Sequence, residues 1–140
     1  MISGDMLLPR ITTNISVFAA TPDADTLGAY LSSLDEWRDL PAATLVLPSH
    51  GLPFRGALER IEALAAHHED RLARVVEACA VPQTAAQLMP VLFDRELDVH
   101  QSMFAMGESL SHINRLIESG RLSRSQGVDG IFRFQRNKPT

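Results

Sequence analysis

Two side chains with metal-binding chemistry stand just past two short apolar runs. Ile2-Ser3-Gly4 leads into Asp5, and Leu45-Val46-Leu47-Pro48-Ser49 leads into His50 and Gly51. In open α/β sheets, functional groups collect at the carboxyl ends of the strands. A carboxylate and an imidazole are donors that a zinc-class ion accepts, and a carboxylate can bridge two such ions. Each residue alone also has an ordinary reading: aspartate after a strand is a frequent turn or cap residue, and a lone histidine is often a hydrogen-bonded turn residue. One Asp and one His need further ligands before they make a site.

His67 and His68 are the next candidates. His68 falls in the middle of an apolar helical stripe, which favours a hydrogen-bonded buried role over a substrate or metal role. His67 points about 100° away around the same helix, toward the surface. Cys79, the single cysteine, lies on that stripe too and reads as a small core residue. One cysteine excludes an internal disulfide and fits a reducing, cytoplasmic setting.

The elements that must position these groups follow from periodicity. Met1–Gly4 reads as the end of a buried strand, and residues 6–17 as an irregular loop. Thr21-Pro22 followed by Asp23 and Asp25 predicts a helix start. The helix that follows puts Leu27, Tyr30, Leu31, Leu34, Trp37 and Leu40 on one face, until Pro41 stops it. Leu45–Leu47, apolar throughout, predicts a short strand covered on both faces. A second helix over residues 57–80 aligns Leu58, Ile61, Leu64, Ala65, His68, Leu72, Val75, Val76 and Cys79.

Val81-Pro82 marks a predicted boundary between a domain at 1–80 and another at 81–140. The second part predicts a short helix over 84–93 and a longer one over 99–118, with Met103, Met106, Leu110, Ile113 and Ile117 on one face. Gly120 then caps the helix. A hairpin follows over residues 121–134, turning at Asp129-Gly130. Helix, helix, hairpin is the plan of a winged helix-turn-helix. Its predicted core is Leu88, Leu92, Met106, Leu110, Ile113, Leu122 and either Phe132 or Phe134. The fold class expected is therefore α/β followed by a small winged helix.

Composition sets limits on partners. The apolar fraction is 45% and the net charge −4, as in a folded globular chain. No apolar run approaches the ~18 residues of a membrane span, so no membrane partner is expected. Residues 115–140 carry six basic and two acidic side chains, a basic tail. His112, Asn114 and Arg115 are predicted on the polar side of the longer helix, where a recognition helix would read DNA. With one arginine beside Glu108 and Glu118, that helix is poor electrostatics for a major groove, and sequence-specific DNA is not expected.

Together with their flanks, the two opening segments are more specific. Ser3-Gly4-Asp5, Leu7-Leu8-Pro9, Ile11-Thr12-Thr13-Asn14 and Leu47-Pro48-Ser49-His50-Gly51-Leu52-Pro53-Phe54 resemble the metallo-β-lactamase superfamily. The branch they resemble is the glyoxalase-II-like hydrolases with a C-terminal winged helix. The likeness runs on through Gly56–Leu72, with His67, His68 and Arg71, and covers nearly the whole chain. It implies an αββα sandwich and two zinc-type ions. Asp5 would bridge the metals and His50 would ligate one, with Ser49 in place of a commoner glycine.

The family's His-x-His-x-Asp-His motif is not formed by any of the five histidines, His50, His67, His68, His100 and His112. The chain is therefore expected to correspond to the C-terminal part of such a hydrolase, to carry no identifiable catalytic residue of its own, to hold zinc weakly, and to be inactive alone. The complete enzyme would cleave a thioester, phosphodiester or related bond, in a small-molecule or RNA substrate. The rival reading is a non-catalytic winged-helix module for binding or oligomerisation, touching single-stranded RNA. Self-association, or pairing with an N-terminal half, is expected in either case.

Overall fold

The structure is a computed structural model that describes residues 1–138. The last two residues of the domain expected at 81–140 lie outside the described residues. Among the described residues the elements run β1 (Ile2–Gly4), α1 (Thr26–Asp35), β2 (Leu47–Pro48), α2 (Ala57–Ala78), α3 (Ala85–Leu92), α4 (Val99–Glu118), β3 (Leu122–Gln126) and β4 (Phe132–Arg136). They form two compact units: residues 1–14 with 28–69, and residues 15–27 with the described residues from 70 onward. No helix among the described residues is long and apolar enough to cross a membrane.

The first unit holds a parallel pair, β1 against β2, in the register Ile2↔Leu47 and Gly4↔Pro48. The strand expected at Leu45–Leu47 is thus shifted, and it is not covered on both faces. Val46 is fully buried, while Leu45 and Leu47 are 42% and 39% exposed. The cause is the strand's alternation of faces. Val46 also makes an antiparallel bridge to Phe54, with N–H···O distances of 2.8 and 3.1 Å in the two directions. Leu7 and Leu8, from the stretch predicted as irregular loop, are buried and anchor it.

Helix α2 matches its predicted extent closely. Ala57, Ile61, Leu64, His68, Leu72, Val75 and Cys79 are its buried line. They step by four or three residues, the spacing of one helix face. Leu58, expected on that line, is 39% exposed; it stands one step round from Ala57, which takes the inner position.

The second unit contains the helix–helix–hairpin succession. Thr84 and Asp98 cap α3 and α4, each in a reciprocal capping box with Gln87 and Gln101. At the end of α4, Gly120 (φ 70°) reverses the chain. Its N–H bonds the Ile117 carbonyl at 2.9 Å and Arg121 N–H bonds that of Leu116 at 2.8 Å, a Schellman closure. Strands β3 and β4 pair antiparallel from Leu122↔Arg136 to Gln126↔Phe132. Leu88, Leu92, Ile113, Leu122 and Phe134 are buried as expected, and Phe132 faces outward at 45% exposure.

Two expectations are overturned in this unit. First, α1 begins at Thr26, well after Thr21-Pro22. The Asn114 amide donates to the carbonyls of Pro22 (2.8 Å) and Ala24 (3.0 Å). Asp25 pairs with Arg115 at 3.0 Å and Asp23 with Arg124 at 2.6 Å. The groups that should have opened the helix are used in bonds to α4 and β3. Second, the predicted polar side of α4 is inside: His112 is fully buried and Asn114 8% exposed, while Met103 is 68% exposed. The reason is the segment of residues 15–27. Val17 N–H bonds the Gly107 carbonyl at 3.1 Å, and a Cβ on Gly107 would lie 2.8 Å from Ser16 Oγ. The segment lies over the face of α4 that carries Gly107 and Asn114, and the buried stripe rotates toward it.

Candidate functional site

Strands running the same way end at the same edge. Leu47 N–H bonds the Met1 carbonyl at 2.8 Å and Ser49 N–H bonds the Gly4 carbonyl at 3.0 Å. Asp5 and His50, the residues that follow, therefore emerge side by side. His50 Nε2 stands 3.6 Å from Asp5 Oδ1, with side-chain exposures of 69% and 63%. At that length and exposure the pair is no hydrogen bond and adds little stability. It is available to a ligand from solvent.

Neighbouring groups fix the aspartate. The Ser49 hydroxyl donates a short hydrogen bond to Asp5 Oδ1, and the Thr13 hydroxyl another to the Asp5 carbonyl. The loop beyond Asp5 is tied down as well. Met6 N–H bonds the Ser3 carbonyl at 3.0 Å, Ser3 Oγ donates to the Leu7 carbonyl at 2.9 Å, and Tyr30 OH to that of Met6 at 3.0 Å. Burial pushes the Tyr30 phenol above its ordinary pKa, which keeps it a donor. Arg60, from α2, reaches the carbonyls of Leu8 (2.7 Å) and Ile11 (2.9 Å) with its Nε and Nη2. A charged donor to a carbonyl is worth about 1.5–3 kcal/mol.

Sequence reasoning missed the parts played by Thr13, Tyr30, Ser49 and Arg60. Ser49 carried one readable signal, a hydroxyl directly before the candidate histidine. Arg60 carried none, since its acceptors lie 52 and 49 positions away.

His67 and His68 are neighbours of each other, with ring centroids 5.3 Å apart. His68 is 1% exposed and meets the Tyr30 ring edge-on at 6.1 Å; His67 is exposed. No group of three or more His, Cys, Asp or Glu side chains is arranged to hold a metal among the described residues. The structure therefore brings together Asp5 and His50 and adds no third protein donor to them.

A groove of about 490 Å³ adjoins His50, walled by Pro9–Ile11 and by Gly51–Phe54. Gly51 lets the two walls meet. It sits at φ 87°, and a Cβ there would fall 2.7 Å from Pro9 Cγ, so any other residue would be strained and would push the loops apart.

Comparison with known proteins accords with this geometry. Residues 72–137 match the family model described as metallo-beta-lactamase-like, C-terminal domain. A solved beta-lactamase domain protein from Burkholderia ambifaria is 52% identical and superposes with a TM-score of 0.94. A metallo-beta-lactamase family protein from Thermus thermophilus is 32% identical, with a TM-score of 0.81. Each alignment covers 97% of this chain and 41% of the other, so the chain spans about two fifths of the length of these relatives. No curated protein matches it. With its mixed helix and sheet fold, its parallel strand pair and its closeness to these structures, the chain belongs to the metallo-β-lactamase family.

Proposed function

We propose that Asp5 and His50 are two of the ligands of a zinc-type metal centre, in a hydrolase acting on a thioester, phosphodiester or related bond. The observation that carries this reading is the 3.6 Å approach of His50 Nε2 to Asp5 Oδ1 at the shared edge of β1 and β2. Two donors on one tetrahedral ion, each ~2.1 Å from it, stand ~3.4 Å apart. The residue types, their separation and their exposure fit a shared ion. When bound, such a metal lowers the pKa of a water and makes it a nucleophile at neutral pH.

The rest of the site's work belongs to this chain's own groups. Ser49 holds one oxygen of Asp5 in place, and Thr13 fixes the backbone behind it. Arg60 and Tyr30 keep the following loop from drifting. Catalytic zinc sites use three protein ligands and structural ones four. Two donors hold an ion weakly, and the remaining ligands belong to the part of such enzymes that this chain does not span.

Helix α3, helix α4 and the β3–β4 hairpin support a winged-helix reading of residues 81–140 after a metallo-β-lactamase-like part at 1–80. The burial of His112 and Asn114 favours a packing role for α4 over base reading. An RNA substrate remains the alternative to a small molecule, and the lone thiol fits a cytoplasmic setting.

The test is calorimetric titration of the full chain with zinc, and again after Asp5→Ala and His50→Ala. Weak one-site binding lost in both variants, yet kept in His100→Ala, supports the assignment. Equal affinity in all four proteins overturns it. The chain by itself is expected to show no metal-dependent turnover of a thioester or a lactam. Turnover abolished by Asp5→Ala would show that the centre is complete without further ligands.

A further inference from the structure

The groove beside His50 has a composition that selects a ligand. Its walls are apolar: Pro9, Ile11, Leu52, Pro53 and Phe54, with Ile11 59% and Leu52 79% exposed to solvent. Arg10 is the charged lining residue, and no carboxylate lines the groove. The walls are also held in advance. Phe54 is fixed by its two backbone bonds to Val46, and the Arg10 loop by Arg60 on the carbonyls either side of it, Leu8 and Ile11. A preformed concave site with apolar walls and few polar groups is the usual form of a small-molecule site.

We propose that this groove binds the non-reacting part of the substrate, and that this part is a small amphiphilic anion: an apolar chain against Leu52 and Ile11, ending in a carboxylate held by Arg10. The chain gains by leaving water, and the guanidinium gives a planar, bidentate partner for the carboxylate. His50 lines the same groove, so the bond to be cut would lie on its His50 side. That placement rests on the metal-centre reading; the binding itself does not. Arg10 acts here as a specificity residue and Leu52 as a wall.

The experiment is a metal-free titration of the isotope-labelled full chain with octanoate, followed through backbone amide shifts. Saturable shifts confined to residues 9–11 and 50–54 are expected. Arg10→Gln should weaken binding about tenfold or more, as loss of a charged hydrogen-bond partner does. Leu52→Ser should weaken it about threefold or more, and octanol should bind more weakly than octanoate. Absence of saturable shifts, shifts elsewhere in the chain, or wild-type affinity in Arg10→Gln overturns the proposal. Both variants lie on exposed surface, and an unchanged amide spectrum confirms their fold. If zinc fails to bind while octanoate does, the metal reading falls and the groove stands; the reverse outcome removes the groove alone.

Discussion

Arg71 and Glu108 face each other across 3.1 Å, with only 12% and 14% of their side chains exposed. Burial dominates both groups. It holds the Arg71 guanidinium below its ordinary pKa and the Glu108 carboxyl above its own, each against the pull of the partner's charge. The Arg71 guanidinium also lies 4.8 Å over the Phe93 ring, a cation–π contact that partly replaces lost water.

Breaking this pair should cost more than removing it. Glu108→Ala leaves a buried cation alone and is expected to destabilise by about 3 kcal/mol, whereas Arg71→Met with Glu108→Leu should fall within about 1 kcal/mol of the wild type. Urea unfolding of the three proteins reads this directly. A single variant as stable as the double would contradict it.

The same carboxyl sets a pH dependence. Because its folded pKa lies above the ordinary 4.5, the native state keeps the Glu108 proton to a higher pH than the unfolded chain does. That contribution to stability is full below the unfolded value and is lost as pH rises through the folded one. Unfolding free energy of the wild type relative to Glu108→Gln should therefore fall as pH rises above about 4.5. Asp129 works the other way. The Arg133 guanidinium hydrogen-bonded to it holds its carboxyl well below the usual range, so its contribution is present above the unfolded value and lost as pH falls. A wild-type to Glu108→Gln difference that is flat from about pH 4 to about pH 7 would refute the assignment.

The packing of residues 15–27 on α4 depends on small groups. Gly107→Ala drives a methyl to within 2.8 Å of Ser16 Oγ and 2.9 Å of its Cβ, and is expected to cost about 1–3 kcal/mol. Asn114→Ala leaves the Pro22 and Ala24 carbonyls without their donor and should cost about 1–3 kcal/mol. Denaturation midpoints that match the wild type in both variants would show that the segment contributes nothing to stability.

The β1–β2 face carries exposed apolar side chains, Ile2 at 82%, Leu45 at 42% and Leu47 at 39%. An unprotected strand edge with such a face invites pairing between chains. Light scattering is expected to show mass rising with concentration, and Ile2→Lys to reduce it, since an edge lysine blunts strand pairing. A concentration-independent monomer would count against this surface.

What the sequence determined by itself were the features set by neighbours along the chain. Helix α4 at 99–118, its Gly120 stop, the α2 stripe through His68 and the hairpin after residue 121 all follow from periodicity and capping, which act over one or two turns. Asp5 and His50 were each legible as residues that end an apolar run, and as a pair only through the resemblance of their flanks to the metallo-β-lactamase superfamily; the parallel pairing of β1 and β2 puts both at one edge. Tertiary structure decided the rest. The start of α1, the buried face of α4 and the hold of Arg60 on the Asp5 loop each depend on bonds spanning about fifty to ninety positions. Local propensity cannot weigh such bonds. Pro22 and Asp25 signal a helix start until Asn114 and Arg115 claim them, and His112 and Asn114 look like surface until Gly107 admits a second segment of backbone.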